Sequence, residues 1–340
     1  MGKMDKTEWK IPWKGMIVAL LVGAAALAVI FWQVANPQDV LAELREYPVK
    51  YFFAALFFVL GAWVVDGQRI GMLARALGER IRWWELALVL GAANFLTLVT
   101  PFAGGGGALI VYYLYRRGLK TSQATAVVLG GGLAGQSSLA LLGLITSASL
   151  TNVPDDLSPY FRAVKIGALL YLTILMSLQV GIIKSDRLFQ WLWSKRGKES
   201  RSAAWITEFR STYEFLLTKR SRYYLTGVAV AFSYYVVYYF GSFLLLSGFG
   251  VFHPWLRFAI AVIFGVAPVF SPIPGGAGLS EGISWIVLDG VLAPDELASF
   301  IVLWRTVVFY IPILLGGAIF VFLVMRWASK SNITGPTGSY

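Results

Sequence analysis

Glu281 and Arg305 are the residues best placed to do chemistry in this 340-residue chain, because each sits in an apolar run. Ionisable groups within a membrane face the protein interior and pair by default. The two are therefore expected to form an ion pair that gates a cavity, or to free Arg305 for a phosphate once Glu281 takes up a proton. A static structural pair fits the same residues, and so does a helix cap by Ser280 and Glu281. Exchanging the two charges should separate these readings, since a purely static pair tolerates the exchange. Arg69 follows Asp66 by three residues. That spacing gives either an interfacial helix pair, worth about 0.2–0.5 kcal/mol, or a cation that receives an anionic group. Arg116 and Arg117 admit the same choice between anchoring and anion capture. Asn94 and Gln136, polar residues in apolar runs, read as helix–helix hydrogen-bonding groups.

The backbone offers a second kind of chemistry. The pattern P-x-x-G-G-x-G, followed by an apolar residue, occurs at Pro101–Ala108 and again at Pro272–Leu279. The first copy holds Gly104, Gly105, Gly106 and Gly107; the second holds Pro274, Gly275, Gly276 and Gly278. Proline removes a donor and clashes with the preceding turn, and each glycine forfeits about 1 kcal/mol against alanine in a helix. Both stretches should therefore break a helix. Broken backbone at membrane depth survives only inside protein or beside a wet cavity. Glycine reaches positive φ and exposes N–H groups. A short helix starting beyond each cluster would point its dipole-positive end at an anion near the midplane. The helices leading in bring their negative ends to the same place, and close packing of two hairpins is the alternative reason for the glycines.

Composition says what must hold these groups. The chain is 57% hydrophobic and 14% charged, with a mean hydropathy of +0.67, against about 25% charged residues in soluble domains. This is a polytopic membrane protein, and its 13 tryptophans and 16 tyrosines suit interfacial belts. The absence of cysteine excludes disulfides, thiol catalysis and thiolate metal sites, and the single histidine, His253, excludes a histidine metal cluster. No cofactor or metal is expected. Residues 15–35 are long enough to span and precede no small-residue cleavage site, so they read as a span rather than a signal peptide. Ten Lys/Arg against four acids in 184–222 read as a cytoplasmic loop rather than a nucleic-acid surface, and anionic headgroups could gather there.

A span needs about 20 apolar residues. Segments 15–35, 49–65 (running on past Arg69 if the helix continues), 123–150, 163–183, 223–248 and 300–325 qualify, while 84–115 and 256–291 are each cut by the motif. Lys3, Lys6, Lys10 and Lys14 place the N-terminus inside. If 84–115 turns at its glycines and returns, Arg116, Arg117, Lys120 and the basic loop fall inside, with Asp155 and Asp156 outside. A full crossing at 84–100 would put the basic loop outside. The second broken region then enters from the outer face, returning near Asp289, Asp295 and Glu296, and Arg326 and Lys330 end inside. The expected fold is all-α: six full spans plus two re-entrant hairpins from opposite faces, an inverted repeat. It forms a single transmembrane domain over 1–330 in the cell membrane, both termini cytoplasmic, with a disordered tail at 331–340.

Two stretches carry a family likeness. Thr100-Pro101 through Gly107 leads to Leu114-Tyr115-Arg116-Arg117-Gly118, and Pro272 through Leu279-Ser280-Glu281-Gly282 is followed by Leu303-Trp304-Arg305. Together they resemble the lysylphosphatidylglycerol synthase transmembrane region, or flippase-like domain family, over roughly residues 15–326. The resemblance implies the lipid-translocating half of proteins that flip aminoacylated phosphatidylglycerol. With no room for the soluble aminoacyl-transferase domain, it implies translocation without synthesis. The family's first hairpin often carries Gly-Gly-Glu where this chain has Gly106-Gly107-Ala108; if that acid defines substrate, the lipid preferred here differs.

Other matches carry less. Gly130-x-Gly132-x-x-Gly135 lies within a span without a preceding strand, and small-residue helix packing accounts for it. No Lys-Ser/Thr follows the run at 104–107, so it is not an ATPase phosphate loop. His253 falls in an outer loop, and the sequon at Asn332 falls inside. The expectation is a flippase or scramblase-like translocase moving an anionic or aminoacylated glycerophospholipid, or a related polar lipid, by alternating access. Movement would run down a lipid gradient or couple to an ion, with Glu281 the proton candidate. An intramembrane lipid-modifying enzyme and a small-anion or solute transporter are the rivals.

Overall fold

Long apolar runs without proline become long helices, and prolines mark where they start. The computed structural model describes residues 37–100, 104–150, 153–155, 157–184, 201–250, 253–266, 274–276, 278–289 and 291–333. The helices are α1 (Pro37–Glu46), α2 (Val49–Ala76), α3 (Trp83–Val99), α4 (Gly104–Arg116), α5 (Thr121–Ala148), α6 (Ser158–Lys184), α7 (Arg201–Thr218), α8 (Ser221–Gly248), α9 (Pro254–Val266), α10 (Leu279–Leu288), α11 (Pro294–Arg305) and α12 (Ile311–Ile333). A 3₁₀ turn, Pro274–Gly276, precedes α10, and a π-helical turn, Thr306–Tyr310, joins α11 to α12. There is no β-strand among the described residues.

Among the described residues, five helices are long and apolar enough to cross a membrane: α2, α5, α6, α8 and the run Pro294–Trp327. The span expected at 15–35 lies outside the described residues, as do Pro101, Pro272, residues 185–200 of the basic loop and the tail beyond Ile333. Two bounds move. The second span runs to Ala76, so Asp66 and Arg69 lie well inside a helix rather than at its end. The last helix takes in residues 331–333, which were expected in the tail. Two helices were not foreseen: α1 in the acidic loop and α7 in the basic one.

Lipid is as apolar as leucine, so packing rather than water exclusion joins membrane helices. Helices α2 and α8 lie together along their length, where Phe58 and Phe240 meet edge to face at 4.8 Å. The start of α3 meets the end of α4, with the Tyr113 hydroxyl donating to Glu85 at 2.9 Å. At about 25 Å and 20 Å, α3 and α4 are each shorter than a 30 Å hydrocarbon core.

The two motifs differ locally. In the second, Gly275, Gly276 and Gly278 take φ of 63°, 66° and 82°, the left-handed backbone the sequence predicts. In the first, α4 begins at Gly104 itself and the four glycines are helical, so the chain breaks there as expected but these glycines do not take the left-handed backbone of the second copy. The reason is a close crossing. A Cβ on Gly106 would come within 2.6 Å of the Ala93 carbonyl oxygen of α3. Thr100 joins the helix ends: its hydroxyl donates to Leu96 O at 2.6 Å and accepts the Gly105 N–H at 3.0 Å.

Candidate functional site

An interior cavity of about 290 Å³ opens where five helices meet, α2, α3, α4, α5 and α8. Its polar lining comes from Asp66 and Arg69, Asn94 and Thr97, Gln136, and Tyr234 and Tyr235. The first turn of α4 completes the wall through Gly106 and Gly107, bringing the dipole-positive end of that helix to the space beside Arg69.

Arg69 is the centre of charge. Its Nε donates to Asp66 Oδ1 at 2.7 Å, and both side chains are 13% exposed. The Nη groups make no hydrogen bond with any of the described residues. They lie against the glycine face of α5, where a Cβ on Gly131 would sit 3.1 Å from Nη1 and one on Gly135 3.5 Å from it. The glycine spacing in α5 thus serves packing, as the sequence suggests, and also leaves room for a guanidinium. Asn94, half-buried on α3, has no hydrogen-bond partner among the described residues. The Gln136 side-chain oxygen accepts the Tyr171 hydroxyl of α6 at 3.2 Å. A guanidinium oriented through one edge, with its other edge open to a polar cavity, is built for bidentate capture of a phosphate or carboxylate.

Beyond Gln136 an apolar groove of about 160 Å³ runs along the seam of α5 and α6, lined by Ala140, Gly143, Val164, Gly167 and Tyr171 among others. Polar cavity and apolar groove therefore meet at the Tyr171–Gln136 hydrogen bond. The α6 face beside the seam is exposed and apolar, with Ile166, Leu170 and Ile174 more than half exposed.

Glu281 and Arg305 pair as the sequence predicts, but outside this cavity's lining. The Arg305 Nε donates to Glu281 Oε1 at 2.6 Å and Nη2 to Oε2 at 2.5 Å. Nη1 reaches Gly275 O at 3.0 Å and Nη2 also reaches Gly276 O at 3.3 Å. Glu281 Oε2 accepts the Gly278 N–H at 2.9 Å, so the same carboxylate is ion-pair partner and helix cap. Both side chains are almost wholly buried, at 3% and 2% exposed. The arrangement ties the left-handed turn to the end of α11.

Of the other site residues expected from sequence, Gly104 and Gly105 sit at the start of α4, away from the cavity lining. Pro274 lies in the 3₁₀ turn. Arg116 and Arg117 stand at the far end of the α3–α4 hairpin. The tyrosines of α8 were missed; the signal was the doubled pair Tyr234-Tyr235 and Tyr238-Tyr239, polar tips at helical spacing in an apolar run.

No curated protein matches the chain. The profile of the lysylphosphatidylglycerol synthase TM region matches residues 16–316, most of its length. The protein is a membrane-embedded member of that lipid-related family.

Proposed function

We propose that the protein is a lipid translocase that takes the phosphate-bearing headgroup of an anionic or aminoacylated glycerophospholipid, or a related polar lipid, into the Arg69 cavity and passes it between leaflets by alternating access. The observation that carries this reading is the open Nη edge of Arg69, held by Asp66 inside a polar cavity among membrane-spanning helices. A phosphate there would be matched by a cation, by the α4 N-terminus, and by the side chains of Asn94, Gln136 and the tyrosines. The adjoining α5–α6 groove suits an acyl chain, because an amphiphile needs a polar and an apolar compartment side by side.

In this reading the two motifs end short re-entrant hairpins from opposite faces. The basic ends of α3 and α4 are cytoplasmic, and the α9–α10 unit dips in from outside. The ion pair holds the second hairpin's turn in shape. It suits a clamp better than a proton carrier, because protonating Glu281 would strand Arg305 in a buried site.

The test is reconstitution into liposomes with fluorescently tagged anionic phospholipid. The expected result is translocation without headgroup turnover. The double variant D66N/R69Q removes both charges together and leaves neither one stranded, so it should fold. It should lose translocation by roughly tenfold or more, as removal of a charge-assisted hydrogen bond of about 1.5 kcal/mol or more implies. Chemical conversion of the lipid would make the protein an enzyme instead. Solute uptake without lipid movement would favour a small-solute carrier.

A further inference from the structure

At the other end of the α3–α4 hairpin, away from the Arg69 cavity, a second pocket of about 280 Å³ lies among α3, α4 and α12. Three guanidiniums line it, those of Arg116, Arg117 and Arg326, against the single carboxylate of Glu85. Glu85 is already engaged, since its Oε2 accepts the Tyr113 hydroxyl at 2.9 Å and lies 3.5 Å from Arg117. No carboxylate among the described residues is within ion-pair reach of Arg116. Its guanidinium lies over the rings of Trp327 and Tyr112, at 5.6 and 5.9 Å, and meets the Trp327 carbonyl only at 3.4 Å. Aromatic faces orient an arginine without neutralising it. The lining is therefore left with an excess of positive charge.

Ordinary accumulation of basic residues on one membrane face explains exposed arginines at helix ends. It does not explain an adjacent pair at the end of α4 meeting a third arginine from α12 on a concave space that also holds Trp84 and Trp327. We propose that this pocket binds the phosphate of an anionic phospholipid, with Arg116, Arg117 and Arg326 on the phosphate and the tryptophans beside the glycerol and upper acyl region. Inorganic phosphate shares the charge chemistry but has no use for the indole walls. The site is distinct from the Arg69 cavity, and binding there does not depend on whether the protein translocates lipid.

The chain has no cysteine, so one reporter thiol can be placed at will. Trp83, 59% exposed at the start of α3, is next to the pocket without lining it. A bimane label on Trp83→Cys, in nanodiscs, should be quenched more by dibrominated phosphatidylglycerol than by dibrominated phosphatidylcholine at equal mole fraction. Adding R116Q/R117Q should remove that excess, at roughly fivefold in affinity per arginine. R116K/R117K should keep part of it, and quenching by the brominated phosphatidylcholine should stay unchanged in both, which reports intact insertion. Should the glutamine pair fail to insert, Arg326→Gln alone carries the same expectation. Equal quenching by the two lipids, or an excess that survives R116Q/R117Q, overturns the proposal. Competition by inorganic phosphate in the buffer also overturns it, by making this a free-anion site.

Discussion

Arg305 makes four hydrogen bonds, two to the Glu281 carboxylate and two to glycine carbonyls of the left-handed turn. This geometry changes what a charge exchange can show. In E281R/R305E a carboxylate would face the carbonyls of Gly275 and Gly276, and a guanidinium would face the Gly278 N–H. The exchange should fail to restore stability even though the pair is structural, contrary to the simple expectation from sequence. Arg305→Met, which leaves Glu281 buried and unpaired, should destabilise by about 3–5 kcal/mol, read as lost monodisperse protein and a lowered melting temperature in detergent. An exchange variant that melts like the wild type would refute the clamp. Gly275→Ala meets two obstacles, φ at 63° and the Phe309 ring packed over its Cα. It should cost about 1–3 kcal/mol, and Phe309→Ala should recover only the steric part. The pair was legible because charge in an apolar run must be matched. Its carbonyl partners were not, since they depend on a backbone turn that glycine permits but does not dictate. Arg69 was harder still. An Asp66–Arg69 spacing is common at helix ends, and only the glycine face of α5 shows that the guanidinium has an interior to occupy.

Among the elements, α5 and α6 make the sharpest prediction for transport. A Cβ on Gly143 would lie 3.5 Å from Val164 Cγ1, so cysteines at 143 and 164 should bond on oxidation across the groove. If lipid enters by that seam, the G143C/V164C disulfide should halt translocation and reduction should restore it. Unchanged translocation in the oxidised form would remove the seam from the path. The two unforeseen helices make a different prediction, about acid. Helix α7 is stapled to the start of α5 by Lys120 to Glu208 at 2.6 Å and Ser122 to Glu208 at 2.8 Å, and Arg210 bonds the last carbonyls of α6. The Lys120 hydrogen bond holds the Glu208 carboxyl below its usual 4.5, so this contact supports docking above that range and is lost as pH falls through it. On the other face α1 packs on α11, and burial, then Glu296 and its acidic neighbours, push Glu43 above 4.5. That raised value means a penalty present at higher pH and relieved as pH falls. Acid should thus loosen α7 while tightening α1, measured as opposite changes in amide-exchange protection once intrinsic rates are corrected. Both helices escape a search for long apolar runs, because α1 has only 10 residues and α7 mixes its apolar residues with charged ones, so neither looks like a span.

For the whole molecule, charge placement reads each glycine-proline break as a hairpin rather than a crossing, and contacts join the two ends of the first unit. Arg117 donates to the Arg80 carbonyl at 3.2 Å and Tyr113 to Glu85, so the two ends of the α3–α4 unit are neighbours. On the other unit, Trp255 at the start of α9 donates to Ser149 at the end of α5, the opposite end from Lys120. What composition could not reveal is that, among the described residues, only the first of the two units lines the polar cavity, together with α2, α5 and α8, while the second contributes a turn packed against α3. The inverted symmetry expected from the repeated motif would therefore be one of topology rather than of side-chain chemistry. Single cysteines in this thiol-free chain test the topology directly. Introduced at Arg82 and Tyr115, they should react with a membrane-impermeant maleimide from the same side of oriented vesicles; at Pro254 and Asp289, from the other. If 82 and 115 label from opposite sides, α3 and α4 cross as one broken span and the re-entrant reading fails. If all four label from one side, the hairpins are not inverted and alternating access between them loses its structural basis. Labelling in the expected pairs, combined with slower modification of a cysteine at Asn94 when anionic lipid is added, would place the substrate at the tip of the first hairpin.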